Sequence, residues 1–595
     1  MMHHRYVNIH IVTLGSLICV NGTRMTCNRL LYNDKGGRLL IIFLSVIVAL
    51  TFVVIVHIER ENSSKTLIIQ AKYTGSTNFK GPTDTTDDSL SYGIIFDCGS
   101  SGSRVYLYFW PPHGGGSHQL LDIHQMIGSN GKPLSYKIKP GLSTYSSNST
   151  FAAEYLRKLL DFAAKHIPRE KHKETPLYIM ATAGMRLISK TSASAILDDV
   201  IRDVPKWYDF EFDESHVSVI SGKEEGMYAW ISLNYMLGRF SQESHRKRGS
   251  SSKFSTAGVV DMGGGSLQIA FEVDQSKLKN KDQLMTFSLS SQKSDTFHNY
   301  NLYVTTFLGF GANSVLKRYQ QNLVSKAPTG TTLSDPCQSL GAIEKVSFMN
   351  SKYKLKGTGD VKRCMTNLTP LLNQTRHCST KPCSLDGVYQ PAISSAIDFY
   401  GISEYFYSTN DVLGIKGHYN YEEVLKLAQE YCGTQWSVSE RKWNNSEYPN
   451  ADMARMRTQC FKVSWILEVL HTGLHFSKKI QNFYPVDQID GQEVQWSLGA
   501  LIHKTRFLAA KQRNLHTLTS TTSDWSRQTR VVLPYLMGLC FVIVFGAILL
   551  YCRYLQKMKV VPSLRNVPSM SYFMTNPEDK MELGLIEERS YYPHS

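Results

Sequence analysis

Two short segments of this chain follow one pattern. Ile95-Phe96-Asp97-Cys98-Gly99-Ser100-Ser101-Gly102-Ser103-Arg104 is the first, and Val259-Val260-Asp261-Met262-Gly263-Gly264-Gly265-Ser266-Leu267-Gln268 is the second. Each runs from an apolar, β-type stretch through an aspartate into glycines and serines, then into another β-type stretch. A strand, a tight turn and a return strand account for that order. Glycine lets backbone N–H groups curl around an anion, and hydroxyls add donors. An aspartate at the strand end suits a hydrated divalent cation. One such turn says little, because Gly/Ser hairpins are common. Two with the same internal order imply an internal structural repeat, and two such loops facing each other would grip a polyphosphate from both sides.

The repeat lies inside a chain of 595 residues, room for roughly two to four domains. Leu39 to Ile58 and Val531 to Cys552 are uncharged apolar runs of membrane-spanning length, whereas Ile9 to Val20 is too short and interrupted. Arg24, Arg29, Lys35 and Arg38 precede the first run, and Arg553, Lys557 and Lys559 follow the second. Positive charge on the outer flanks predicts that both tails are cytosolic, which places the segment between the runs in a lumen or outside the cell. Six of the 11 cysteines, Cys337, Cys364, Cys378, Cys383, Cys432 and Cys460, fall in its second half and read as three disulfides. No His/Cys group has zinc-finger spacing, and Cys98 reads as a small buried residue. Sequons at Asn62, Asn148, Asn367, Asn373 and Asn444 agree with that side of the membrane.

The net charge of +15 raises nucleic acid as a partner. The basic residues are scattered, however, apart from His245-Arg246-Lys247-Arg248 in a Ser-rich insertion at Ser241 to Ser255. Basic character in a lumenal segment fits small anionic substrates better, so no nucleic-acid partner is expected.

Between the runs, strand-like and helical patterns alternate, which predicts an α/β protein. A polar stalk covers 59–90, a helix is predicted over Phe151 to His166, and a buried strand over Leu177 to Ala181 leads into Thr182-Ala183-Gly184-Met185-Arg186. Ser221-Gly222-Lys223-Glu224-Glu225-Gly226 opens an amphipathic run from Met227 to Leu237. Acidic residues at a helix start usually serve as caps; beside glycines they also fit a general base near a phosphate site. There is no Walker-type loop.

In this order the motifs resemble those of the apyrases, the nucleoside triphosphate diphosphohydrolases. Five regions correspond: Asp97 to Arg104, Ala181 to Arg186, Ser221 to Tyr235, Asp261 to Ile269, and Val494-Gln495-Trp496-Ser497-Leu498-Gly499-Ala500. The resemblance covers about residues 90–505, and the two apolar runs match its membrane-bound members. It implies two RNase-H-like (actin-like) domains with a cleft between them. The expected plan is a cytosolic tail at 1–38, a span at 39–58, domain I at 91–257 completed by about 480–506, and domain II at 258–479. A second stalk at 507–530, a span at 531–552 and a cytosolic tail at 553–595 follow.

The same resemblance implies roles. Glu225 is the base that activates water, and Ser266 and Gln268 hold that water. Thr182 stands beside the terminal phosphate. Ser100, Ser101, Gly102, Gly264 and Gly265 cradle phosphates, and Asp97 and Asp261 orient Ca²⁺ or Mg²⁺ through its waters. Tyr407 stacks on the base; where a second stacking aromatic precedes a cysteine, this chain has Gln459. Disulfides are implied for Cys337–Cys364, Cys378–Cys383 and Cys432–Cys460. Gly102-Ser103-Arg104 replaces the His-containing turn of cell-surface members and is similar to the form in Golgi and lysosomal diphosphatases. Gly265 and Leu267 stand where Ala and Thr are common. The expected substrates are nucleoside di- and triphosphates, UDP among them, in a Golgi or related membrane. The rival expectations are a broad triphosphatase of endosomal, lysosomal or surface membranes and a non-catalytic, nucleotide-gated binding protein, since the fold alone does not decide function.

Overall fold

The structure is a computed structural model describing residues 81–113, 118–241, 256–290 and 296–508. The two apolar runs, both tails, most of both stalks, Asn62 and the basic run at 245–248 lie outside the described residues. Among the described residues no helix is long and apolar enough to cross a membrane.

Each glycine loop does join two strands. β1 (Ser91–Cys98) and β2 (Ser103–Trp110) pair antiparallel, from Ser91 opposite Trp110 to Cys98 opposite Ser103. β3 (His124–Gln125) and β4 (Ser135–Ile138) pair with the far side of β2. β5 (Leu177–Ala181) and β6 (Val217–Val219) extend the sheet parallel to β1, giving the order β3-β2-β1-β5-β6. The apolar runs bury on both faces, as parallel neighbours covered by helices require. α1 (Ala152–His166) and α2 (Lys190–Trp207) share one core with Tyr92, Ile94 and Phe96 of β1.

The second half repeats this topology. β7 (Gly258–Met262) and β8 (Ser266–Glu272) form the hairpin, and β9 (Leu284–Ser288) and β10 (Asn299–Leu308) continue it antiparallel. After α4 (Ala312–Val324), a separate small sheet is built from β11 (Thr332–Asp335), β12 (Ile343–Phe348) and β13 (Ser351–Gly357). β14 (Phe399–Ser403) and β15 (Phe483–Pro485) then lie parallel to β7, in the order β15-β14-β7-β8-β10-β9. An antiparallel set of strands beside two parallel ones, made twice, is the RNase-H-like arrangement of an actin-like fold. The second half therefore reaches beyond 479, and the chain returns through the hairpin of β16 (Gln488–Ile489) and β17 (Gln492–Glu493).

α3 (Gly222–Met236) and α9 (496–508) lie in one core with both sheets. That core joins Ile95 and Tyr108 of the first sheet, Val259 and Val304 of the second, Trp230 of α3 and Leu501 of α9. The amphipathic reading of Met227 to Leu237 is corrected here, because α3 is buried nearly all round. Its buried Asn234 is satisfied internally: it donates to the carbonyls of Trp230 and Ala257 and accepts from the Ala257 N–H. Gly499 makes the crossing of α9 and α3 possible, since a Cβ there would stand 1.9 Å from the Tyr228 carbonyl oxygen.

The other face of the second sheet is covered by α4, α5 (Val361–Leu368), α6 (Tyr421–Gly433), α7 (Trp436–Asn444) and α8 (Met453–Leu467). Cys337–Cys364, Cys378–Cys383 and Cys432–Cys460 are disulfide-bonded, all within this half, and Cys98 is free and buried. Asn148, Asn367, Asn373 and Asn444 are all exposed.

Candidate active site

The two glycine loops meet. A Cβ added to Gly264 would come within 3.0 Å of Ser100 Oγ, and one added to Gly265 within 2.9 Å of the Ala183 methyl. Only glycine permits that approach. In the second loop, the Gly264 carbonyl accepts from the N–H groups of Asn313 and Ser314 at the start of α4, both at 3.0 Å, and the Gly263 carbonyl accepts from Ala312. A trans peptide sets the next N–H opposite its carbonyl, so these bonds turn the loop amides away from α4. The first loop is fixed by Thr182, whose N–H donates to the Cys98 carbonyl at 3.1 Å.

A cleft of about 410 Å³ opens between the loops. Asp97, Ser100, Ser101, Gly102, Thr182, Glu225, Asp261, Gly264, Gly265, Ser266 and Tyr407 all line it. Gln268 lies just beneath, touching Glu225 and Ser266.

Glu225 and Glu224 separate cleanly. Glu224 at the third position of α3 completes a capping box with Ser221, each side chain bonding the other's backbone N–H. Glu225, one residue on, turns inward and is 7% exposed. Its Oε2 accepts from Arg186 Nη2 at 2.6 Å and from Gln268 Nε2 at 3.1 Å. Arg186 also reaches Ser266 Oγ at 3.1 Å, and Gln268 Nε2 reaches it at 2.6 Å. Burial pushes the Glu225 carboxyl up to about 7, against the downward pull of the Arg186 guanidinium. Arg186 stands at the end of the Thr182-to-Arg186 motif, yet its part in the site is not visible in the pattern.

Asp97 and Asp261 are the penultimate residues of the equivalent strands β1 and β7, and both line the cleft. Burial pushes both up to about 6, and the Asp261 charge adds to the rise at Asp97. Asp261 Oδ1 is buried and has no hydrogen-bond partner among the described residues. Among those residues no group of three or more His, Cys, Asp or Glu could by itself hold a metal. Two hard carboxylates beside a phosphate cleft, one with an unpartnered oxygen, fit a divalent cation completed by water and phosphate oxygens.

Toward its outer end the cleft passes Tyr407 and Arg455, whose guanidinium lies 4.3 Å from the Tyr407 ring centroid. Gln459, one turn further along α8, is fully buried and donates to the Ser408 carbonyl at 2.7 Å. It lines no part of the cleft and offers no face to a ring. Lys137 and Lys139, at and just after the short strand β4, and Lys462, paired with Glu404 at 2.9 Å, also line the cleft. None of them belongs to a motif.

Two RNase-H-like halves that each lend a glycine loop to one cleft, with a buried glutamate hydrogen-bonded to an arginine and a glutamine, define an actin-like phosphate-handling protein. The GDA1/CD39 (nucleoside phosphatase) family model matches residues 83–517, and the chain belongs to that family, hydrolases of nucleotide phosphoanhydride bonds. It is 39% identical to ectonucleoside triphosphate diphosphohydrolase 4 of Mus musculus over 89% of this chain and 92% of that one. It is 41% identical to ectonucleoside triphosphate diphosphohydrolase 7 of Homo sapiens, over 80% and 83%. It is 39% identical to nucleoside-diphosphatase mig-23 of Caenorhabditis elegans, over 74% and 82%.

Proposed function

We propose that the cleft releases the terminal phosphate of nucleoside diphosphates, UDP among them, and of triphosphates, by direct attack of water. The observation that carries this is Glu225: a buried carboxylate at the junction of two phosphate loops, with Ser266 and Gln268 on the same side. Phosphoryl transfer needs an in-line nucleophile and neutralised charge rather than a covalent handle. Loop amides and the Ser100 and Ser101 hydroxyls receive phosphate oxygens, with Thr182 beside the terminal group. Both Arg186 and Gln268 bond Oε2 of Glu225, which leaves Oε1 for the water, and Ser266 and Gln268 fix the water's approach. Glu225 takes its proton as the P–O bond forms. A Ca²⁺ or Mg²⁺ ion at Asp97 and Asp261 would supply positive charge to the phosphate oxygens.

Diphosphates are favoured by the Gly102-Ser103-Arg104 form of the first loop and by the likeness to a protein named a nucleoside-diphosphatase. Such an activity suits the lumen of a secretory membrane, the Golgi foremost. There it would convert the UDP or GDP left by glycosyl transfer to a monophosphate. Three disulfides and four exposed sequons support an oxidising, glycosylating side, with spans at 39–58 and 531–552 and both tails cytosolic.

The test is phosphate release by the purified full chain from UDP, GDP, ADP, UTP and ATP, with and without chelator. Glu225→Gln is expected to bind nucleotide and lose on the order of 10²–10⁴ in rate. Turnover near that of the parent protein, or full activity in excess chelator, would overturn the mechanism. Hydrolysis of ATP with negligible UDP hydrolysis would reverse the substrate reading. Protease added to sealed vesicles should remove only the tails, and a protected tail would reverse the orientation.

A further inference from the structure

The small sheet that follows α4 has two faces of opposite character. Side chains alternate between the faces along each strand. Tyr353 and Leu355 of β13 turn inward and pack with Val324 of α4, flanked by Val346 and Phe348 of β12. The alternate positions turn outward and are exposed: Lys352, Lys354 and Lys356 on β13, the central strand, and Lys345 on β12. Along β13 the lysines recur about every 7 Å, and Lys345 stands directly opposite Lys354. Like charges directly opposite each other destabilise a sheet, and nothing on this face offsets them. Among the described residues none of the four lysines forms an ion pair. The carboxylates of the same strands follow the inward register, opposite Gly357 and Leu355. Asp335 is buried and accepts from the Tyr319 hydroxyl at 2.7 Å, and Glu344 accepts from the side-chain amides of Gln320 and Gln338. None of the four lysines lines the nucleotide cleft.

We propose that this open face docks a linear polyanionic glycan, one that bears sulfate or carboxylate groups at regular intervals. Ammonium groups in a flat array supply charge across a plane, without the fork by which arginine grips a single phosphate. Thr332, Ser334 and Ser347 share the face and add hydroxyls for the polar atoms of a sugar chain. The outward positions of the three strands carry no aromatic ring. The face therefore lacks the stacking platform that single-stranded nucleic acid uses and the ring anchors of a membrane interface. Ile343 and Met349 are exposed, but one opens β12 and the other follows its end, so they make no apolar centre for a protein partner to bury. In the orientation proposed above, the face lies on the glycan-bearing side, out of reach of the anionic lipids of the cytoplasmic leaflet. A polyanion laid along β13 relieves the repulsion between Lys345 and Lys354, and it holds the enzyme without entering the cleft.

The experiment measures binding of the full chain to heparin, to uncharged dextran and to vesicles rich in phosphatidylserine. The parent protein is compared with the triple variant Lys352→Gln, Lys354→Gln, Lys356→Gln. The parent is expected to bind heparin and not dextran, with an affinity that falls steeply as salt rises. The triple variant should bind heparin at least about tenfold more weakly. Its plot of log affinity against log salt should flatten by about one unit for each lysine engaged. Its thermal midpoint should equal or exceed the parent's, because the like-charge pair is gone. If the triple variant does not fold, Lys354→Gln alone should weaken heparin binding about fivefold. Replacing Arg246, Lys247 and Arg248 by glutamine should leave most of the heparin affinity in place. Parent-like heparin binding in either folded lysine variant overturns the proposal. So does loss of binding on neutralising 246–248 alone, or a parent protein that binds the vesicles more tightly than heparin.

Discussion

Glu225 is poised near neutral pH because burial outweighs an opposing charge. Burial raises its pKa, and Arg186 at 2.6 Å pulls it down, leaving it at about 7. A base must be deprotonated to act, so activity is expected to fall as pH drops through about 7. Replacing Arg186 by Met removes the favourable charge and leaves the burial. The acid limb of the kcat/KM profile should then move to higher pH, by roughly 1–3 units, with activity partly recovered in alkaline buffer. An acid limb left where it was would mean that Arg186 does not tune the base. The sequence shows Glu225 through its glycine-flanked setting and by analogy, but not what distinguishes it from Glu224. That difference is one of direction: one carboxylate turns back to cap its own helix and the next turns into the cleft. Lys137, Lys139 and Arg455 were illegible for a related reason. Each becomes part of the site only through the packing of a distant segment.

Among the elements, the hairpins were the most legible, because strand, aspartate, glycines and strand must follow one another locally. The helix expected over Phe151 to His166 begins one residue later, and the strand over Leu177 to Ala181 has the same bounds. α3 was misread because Ser232, Asn234 and Tyr235 resemble a solvent face. Placed between two sheets, the helix meets protein on every side, which periodicity cannot reveal. Its contact with α9 gives a sharp test. Gly499→Ala puts a methyl 1.9 Å from the Tyr228 carbonyl oxygen, and overpacking of this kind costs about 1–3 kcal/mol. Denaturant unfolding should show a lowered midpoint. Because α3 carries Glu225, kcat should fall as well, although residue 499 lies outside the cleft. A variant as stable and active as the parent would show that the helices separate without consequence.

For the whole molecule, the buried acids link stability to cation and pH. Asp97 and Asp261 sit at about 6 and Glu225 at about 7, all above the usual carboxylate range. The folded state then holds more protons than the unfolded chain between about pH 4 and 7, so stability declines as pH rises through that window. A cation bound at the two aspartates offsets the loss, by about 2.7 kcal/mol at a concentration 100 times its Kd. Added Ca²⁺ or Mg²⁺ should therefore raise the thermal midpoint more at pH 7.5 than at pH 5. Equal shifts at both pH values would remove the aspartates as the site. The core between the sheets also has a temporal consequence. Ribosomes deliver this chain from its first residue onward, so the first sheet and α3 emerge long before α9. Until residues 494–508 arrive, the inner face that carries Tyr108, Trp110 and Tyr228 lacks the helix that seals it. The polypeptide is thus committed to waiting for its own distal segment, and a nascent chain halted before residue 494 presents that aromatic face to whatever chaperone attends its synthesis.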